Sequence, residues 1–166
     1  MTNAPYLMPQ AREGARLGHT QLLDSMVQDG LWDIYNNFHM GETGEKVAEK
    51  HGISREEQDR FAAESHRRAV AAWNANEFER EIAVVTIAQK KGDPVVVKKD
   101  EGPRADATAE SLAKLRPAFR KENGTVTAGN ASTINDGAAA LVVMSDVRAA
   151  QLGLKPIARI TGYSTG

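Results

Sequence analysis

The stretch from Ser54 to Trp73 constrains the fold more than any other part of this chain. Ser54 followed by Glu57 is a capping box, in which each side chain takes up a free amide of the other at a helix start. Phe61, Ser65, Ala69, Ala72 and Trp73 then recur at helical spacing, with Arg and Glu between them. Any fold for this sequence has to contain that helix. Its carboxylates, Glu57 and Glu64 among them, fall on the polar face and read as solvation rather than catalysis.

Around this helix the sequence divides into zones. Residues 1–20 carry Asn, Pro, Gly and Arg with no steady period. Proline fixes its own backbone and restricts its predecessor, so Asn3-Ala4-Pro5 and Met8-Pro9 are turn-like. This zone reads as an extended arm or as a frayed terminus. Residues 20–80 read as helical. Leu22, Leu23, Met26 and Val27 form one apolar stripe, and Val47 and Ala48 lie in a short helix that Gly52 can stop.

A hairpin is predicted next. Ile82 to Ala88 is rich in β-branched residues, Lys90-Lys91-Gly92-Asp93 makes the turn, and Val95 to Val97 returns. Lys98 and Lys99 continue its basic character, which suits protection of an edge strand. From about Leu115 the pattern becomes strand, helix, strand. Ala138 to Val143 is small and apolar, Ser145 can cap a helix ending at Gly153, and Ile157 to Tyr163 reads as a strand. This is a βαβ unit of a layered α/β core, too small to stand by itself. It packs on the helical zone or its partners lie elsewhere.

Composition bounds the function. The 166 residues suit one domain, or a small domain with part of another. Aromatics are 5%, so a core rests on Ala, Val, Leu and Ile. Lys and Arg number 21 against 22 Asp and Glu, without the basic surplus of a nucleic-acid binder. The chain has no cysteine. That excludes a disulfide framework, a thiolate metal site and a cysteine nucleophile within it. No run has the length of a membrane span and no apolar signal core opens the chain, so a cytoplasmic setting is expected.

Several segments are candidates for chemistry. His39-Met40-Gly41 follows the aromatic stretch from Trp32 to Phe38 and suits either a ligand pocket or a structural role. Gly124 to Ser132 has two glycines among small polar residues. It is a tight buried turn or a place where amides approach a ligand, but neither a Walker loop nor a dinucleotide fingerprint. Asn135-Asp136-Gly137 reads as a turn or, with more weight, a helix cap. Arg104 lies in a polar loop and suits phosphate or a flat ring, or is simply solvated. His19, His51 and His66 have no metal-ligand spacing.

Taken together, these stretches resemble one family. Asn3-Ala-Pro-Tyr-Leu7, Ala15-Arg-Leu-Gly-His19, Asp29-Gly-Leu31, His39-Met-Gly41, Lys114-Leu-Arg-Pro-Ala-Phe119, Gly124-Thr-Val-Thr-Ala-Gly-Asn-Ala-Ser132 and Asn135-Asp-Gly-Ala-Ala139 are similar, in order, to the biosynthetic thiolases, the acetyl-CoA C-acetyltransferases. Thr133 stands where many members have Gly. The resemblance implies a thiolase-like α+β and α/β fold. Residues 1–115 would be a lid, or loop domain, with helices, a β-hairpin and a tetramerisation arm over about 1–20. Residues 116–166 would return to the core and open the C-terminal domain.

The resemblance also implies a site for coenzyme A. Leu31, His39 and Met40 would line the pantetheine tunnel, and Arg104 would lie against the adenine. Ser111, Phe119, Ala128, Gly129 and Ser132 would add further contacts. The substrates would be acetyl-CoA and acetoacetyl-CoA, with no prosthetic group and no metal. The His-Met-Gly form resembles the short-chain biosynthetic branch. Thiolase chemistry needs an acyl-carrying cysteine, a second cysteine as acid–base and an activating histidine. The family motifs that carry them are absent from this sequence. The expectation is therefore a piece that grips the cofactor and its neighbouring subunits, joins the remaining core segments, and has no turnover alone. A non-catalytic assembly module without significant CoA binding is the alternative.

Overall fold

A computed structural model describes residues 1–164, which fall into two compact units, Met1–Asn135 and Asp136–Gly166. In the first unit the arm folds back on itself. Strand β1 (Tyr6–Leu7) pairs antiparallel with β2 (Leu23–Asp24), with Tyr6 opposite Asp24. A 3-10 turn at Pro9–Glu13 lies between them, and the Thr20 hydroxyl bonds the Gln10 side chain. The helical stripe expected at Leu22 to Val27 is thus corrected. Pairing with β1 draws Leu23 and Asp24 into a strand, and Val27–Leu31 forms one wide π turn. A distant partner has overridden the local period.

Strands β3 (Trp32–Asp33) and β4 (Phe38–His39) follow as a short hairpin with Trp32 opposite His39. Its turn is set by Asp33, whose carboxylate accepts from the amides of Tyr35 (2.9 Å) and Asn36 (3.0 Å) and from the Asn36 side chain (2.8 Å). The Asn36 side chain first and its amide next, with Tyr35, hold the Asp33 carboxyl below its ordinary range.

Helix α1 (Met40–His51) ends where predicted. Gly52 takes a left-handed φ of 63° and its N–H bonds back into the last turn. Helix α2 (Arg55–Asn74) starts on the predicted capping box. The Glu57 amide donates to Ser54 Oγ at 3.1 Å, and the Ser54 amide donates to Glu57 Oε2 at 2.8 Å. Replacing Ser54 with Ala should destabilise the chain by about 1 kcal/mol in urea unfolding followed by helical circular dichroism.

The face that α2 turns inward is offset from the expected one. Of the expected positions Phe61 (79%) and Ser65 are exposed, whereas Ala69, Ala72 and Trp73 are half-buried together with Arg55, Ala62, Ala63, Glu64, His66 and Val70, and Asp59 is buried. Glu64 is half-buried, and hydrogen bonds from Arg67 and Arg68 pull its carboxyl down to about 2. Asp59 corrects the reading of the helix's carboxylates as solvation, because it is 2% exposed. Trp73 closes the helix against Phe78, with ring centroids 5.2 Å apart.

The predicted hairpin is present as β5 (Val85–Ile87) and β6 (Val95–Val97), with Thr86 opposite Val96. Short helix α3 (Ala109–Leu112) is capped by Thr108 and packs on α2. Ala48, Leu112 and Val126 are the buried apolar side chains of this unit.

The second unit contains α4 (Asp146–Gln151), capped by Ser145 as expected and followed by Gly153 at φ 66°. The two strands predicted beside it are not formed. Leu141, Val142 and Val143 lie 75–86% exposed, and Ile157 and Ile160 in the other segment are exposed as well. A strand exists only by pairing its backbone, and among the described residues these segments pair with nothing that makes a ladder. Asn135-Asp136-Gly137 likewise starts no helix, since the next helix begins at Ser145. Much apolar surface is uncovered in each unit, Leu17 and Tyr35 in the first and Leu141 and Val142 in the second among it. Among the described residues no helix is long and apolar enough to cross a membrane.

Candidate functional site

The site builds from α1. Gly41, Gly44, Glu45 and Ala48 lie on one face of that helix at spacings of three and four. The small residues let another segment approach, and that segment is Thr125 to Asn130. A Cβ on Gly44 would stand 3.2 Å from Val126 Cγ2. Glu45, 2% exposed, fills the join. Its carboxylate accepts from the Thr125 amide (2.9 Å to each oxygen), the Thr125 hydroxyl (2.8 Å) and the Val126 amide (2.9 Å). Burial pushes the Glu45 carboxyl up, but the Val126 and Thr125 donors, with the Arg120 charge, outweigh it and hold the group below its ordinary value.

His39 caps α1 by accepting the Gly41 amide at Nδ1, 3.0 Å away. Its ring stacks on Phe119 with centroids 4.9 Å apart and planes at 29°. The Phe119 ring covers Gly41 so closely that a Cβ there would lie 2.1 Å from it. Leu31 ends the π turn just before Trp32 and Met40 opens α1 just after His39, so both are chain neighbours of the Trp32–His39 pair. Of these four predicted contacts the structure brings His39 and Phe119 together, and Met40 and Phe119 are exposed at 46% and 40%.

Arg104 and Ser111 meet elsewhere, around Asp106. The Arg104 guanidinium donates twice to the Asp106 carboxylate (3.1 and 2.9 Å), and its amide donates to His66 Nδ1 on α2 (3.1 Å). The Asp106 contacts raise the Arg104 pKa and depress that of Asp106. The Ser111 hydroxyl donates to the carbonyls of Thr108 (3.0 Å) and Asp106 (3.4 Å).

Ala128, Gly129 and Ser132 belong to the turn that follows Thr127. Ala128 and Ser132 are exposed, while Gly129 packs on α3. A Cβ on Gly129 would meet Leu115 Cδ1 at 2.5 Å and Leu112 Cδ2 at 2.6 Å. The turn is held from inside. Asn130 Oδ1 accepts the Thr127 amide (2.7 Å), and Asn130 Nδ2 donates to Thr125 O (2.9 Å) and Asp59 Oδ1 (3.0 Å). The turn expected from Gly124 to Ser132 forms, but it is buried only at Val126 and Thr127, and Ala128, Ala131 and Ser132 are exposed.

Sequence reasoning missed Glu45, Arg55, Asp59 and Asn130. The small-residue face around Glu45 was a usable signal, but the partner of each group lies far along the chain. A cavity of about 490 Å³, lined by residues including Glu45, Glu49, Ile53, Arg120, Glu122 and Asn123, is bordered by none of the nine predicted contact residues. No cluster of metal-ligating side chains occurs among the described residues.

The comparisons with known proteins agree over nearly the whole chain. The family described as thiolase, N-terminal domain, matches residues 1–147. An acetyl-CoA acetyltransferase of Pseudomonas aeruginosa is 54% identical over 165 residues, covering 99% of this chain and 42% of that protein. One of Chromobacterium violaceum is 56% identical over 164 residues, again covering 99% and 42%. The solved structure of the acetyl-CoA acetyltransferase from Syntrophomonas wolfei superimposes with a TM-score of 0.78 at 46% identity, over 93% of this chain and 38% of that one. The chain thus spans about 42% of the length of the curated relatives it matches.

Proposed function

Because this chain belongs to the thiolase family, we propose that it is the coenzyme A grip of an acetyl-CoA acetyltransferase. The whole enzyme would join two acetyl-CoA molecules into acetoacetyl-CoA and free CoA, reversibly. Residues 1–115 would form the lid with its assembly arm, and 116–166 would lead back into the core. The observation that carries this reading is the His39–Phe119 stack, in a chain whose relatives bear that enzyme name.

Each contact has a physical role in this reading. Leu31, Met40 and Phe119 offer apolar surface to the pantetheine arm, and the exposed turn at Ala128 and Gly129 lets main-chain groups approach it. Ser111 and Ser132 offer hydroxyls. The Arg104 guanidinium has its edge on Asp106 and keeps its face for a purine, so stacking does not require that pair to break. The chain has no cysteine, so the acyl-carrying nucleophile would come from the remaining core segments. This chain would bind and orient, and subunits would meet through the arm, as a tetramer in the cytoplasm.

Titration of the 166-residue chain with CoA in a calorimeter tests this. Saturable heat is expected, and Arg104→Ala should weaken it roughly tenfold. Unchanged affinity would remove Arg104 from the site. If the wild-type chain shows no saturation, the assembly reading stands instead, and sedimentation should then show an oligomer. The chain alone should show no thiolytic turnover.

A further inference from the structure

The buried carboxylate of Asp59 has no part in the contacts above, yet it lies between two of the segments that carry them. One oxygen accepts from Arg55 Nε at 2.7 Å, and the other accepts from Asn130 Nδ2 at 3.0 Å. Arg55 also reaches past Asp59. Its Nη2 donates to the carbonyls of Leu112 (2.7 Å) and Leu115 (3.0 Å), which close α3. That helix carries Ser111, and the side chains of its Leu112 and of Leu115 just beyond it bear on Gly129. On the other side, Asn130 uses every polar atom of its amide to shape the Ala128–Ser132 turn. All these bonds are satisfied, with no buried side-chain N or O left unpartnered among the described residues.

From this geometry we infer that Asp59 is a positioning residue that sets the Ser111 helix and the Ala128–Ser132 turn at a fixed distance from each other. What that spacing serves rests on the CoA reading above. A carboxylate suits the position because both neighbours are donors. One acceptor on each side, in a site 2% exposed, locks both arms through a single rigid group. Asparagine in its place puts an NH2 against one of these donors and leaves the other only a neutral amide oxygen, so one arm is released and the other loses its charge-assisted bond.

Amide-resolved hydrogen exchange on the full chain tests the linkage without a ligand. Asp59→Asn should speed exchange at Gly129–Ala131 and at Leu112–Leu115 together, by tenfold or more. Arg55→Lys keeps a cation at Asp59 but loses the fork, so it should free only Leu112–Leu115. Glu64→Gln should change neither. Faster exchange at one segment only in Asp59→Asn, or at both in Arg55→Lys, overturns the inference. CoA titration supplies the functional arm. Asp59→Asn should weaken binding about tenfold with helical circular dichroism at the wild-type value, and equal affinity would overturn the positioning role. If wild-type chain does not bind CoA, the CoA reading falls, and the exchange result still decides whether Asp59 links the two segments.

Discussion

Replacing Glu45 with Ala should cost the fold about 3 kcal/mol in urea unfolding. The cost comes from what is stranded. The amides of Thr125 and Val126 and the Thr125 hydroxyl all donate to this one carboxylate. In a join where Val126 and Thr127 are 8% and 1% exposed, water does not readily replace it. The pH dependence follows from the sign of the shift. The folded Glu45 carboxyl titrates below its ordinary 4.5, so its contribution is present above that value. It is lost as pH falls through the lower folded value. The wild-type urea midpoint should therefore fall with acid below pH 4.5, and Glu45→Gln should show a flatter profile. A parallel acid dependence in both proteins would show that Glu45 is not the group responsible.

Gly124→Ala should cost a further 2–3 kcal/mol or so, through sterics alone. An added Cβ would lie 2.4 Å from the Arg120 carbonyl oxygen and 2.7 Å from Pro117 Cβ. The carbonyl is main chain and the proline ring is rigid, so neither can swing aside as a long side chain would. The backbone from Pro117 to Gly124 has to move, and that strains the Ala118 amide bond to Val126 O (2.9 Å). Urea unfolding by tryptophan fluorescence measures the effect, and a loss below about 0.5 kcal/mol would mean that the segment repacks freely. Gly52→Ala is a useful contrast. Nothing crowds that position, but its φ of 63° is unfavourable for any Cβ, so about 1 kcal/mol is expected there.

What the sequence made legible was local. The Ser54–Glu57 box, the Gly52 stop, the β5–β6 hairpin and the Ser145 cap all depend on residues within a few positions of each other. The ordered motifs also identified the family, and the thiolase-like fold is supported by the solved structure it superimposes on. Features that depend on distant partners were missed. Leu23 reads as one side of a helix until Leu7 lies beside it. Asp59 reads as a solvated helix carboxylate until Asn130, 71 residues later, donates to it. The apolar runs at Ala138–Val143 and Ile157–Tyr163 have strand composition, but composition does not provide a neighbouring strand.

One consequence of the α1 cap bears on ligand choice. His39 spends Nδ1 as an acceptor for the Gly41 amide, so the imidazole proton sits on Nε2. The tautomer is thereby set by the helix rather than by whatever enters the site. A molecule that reached Nε2 would meet a hydrogen-bond donor, and an amide carbonyl would complement it where an N–H would not.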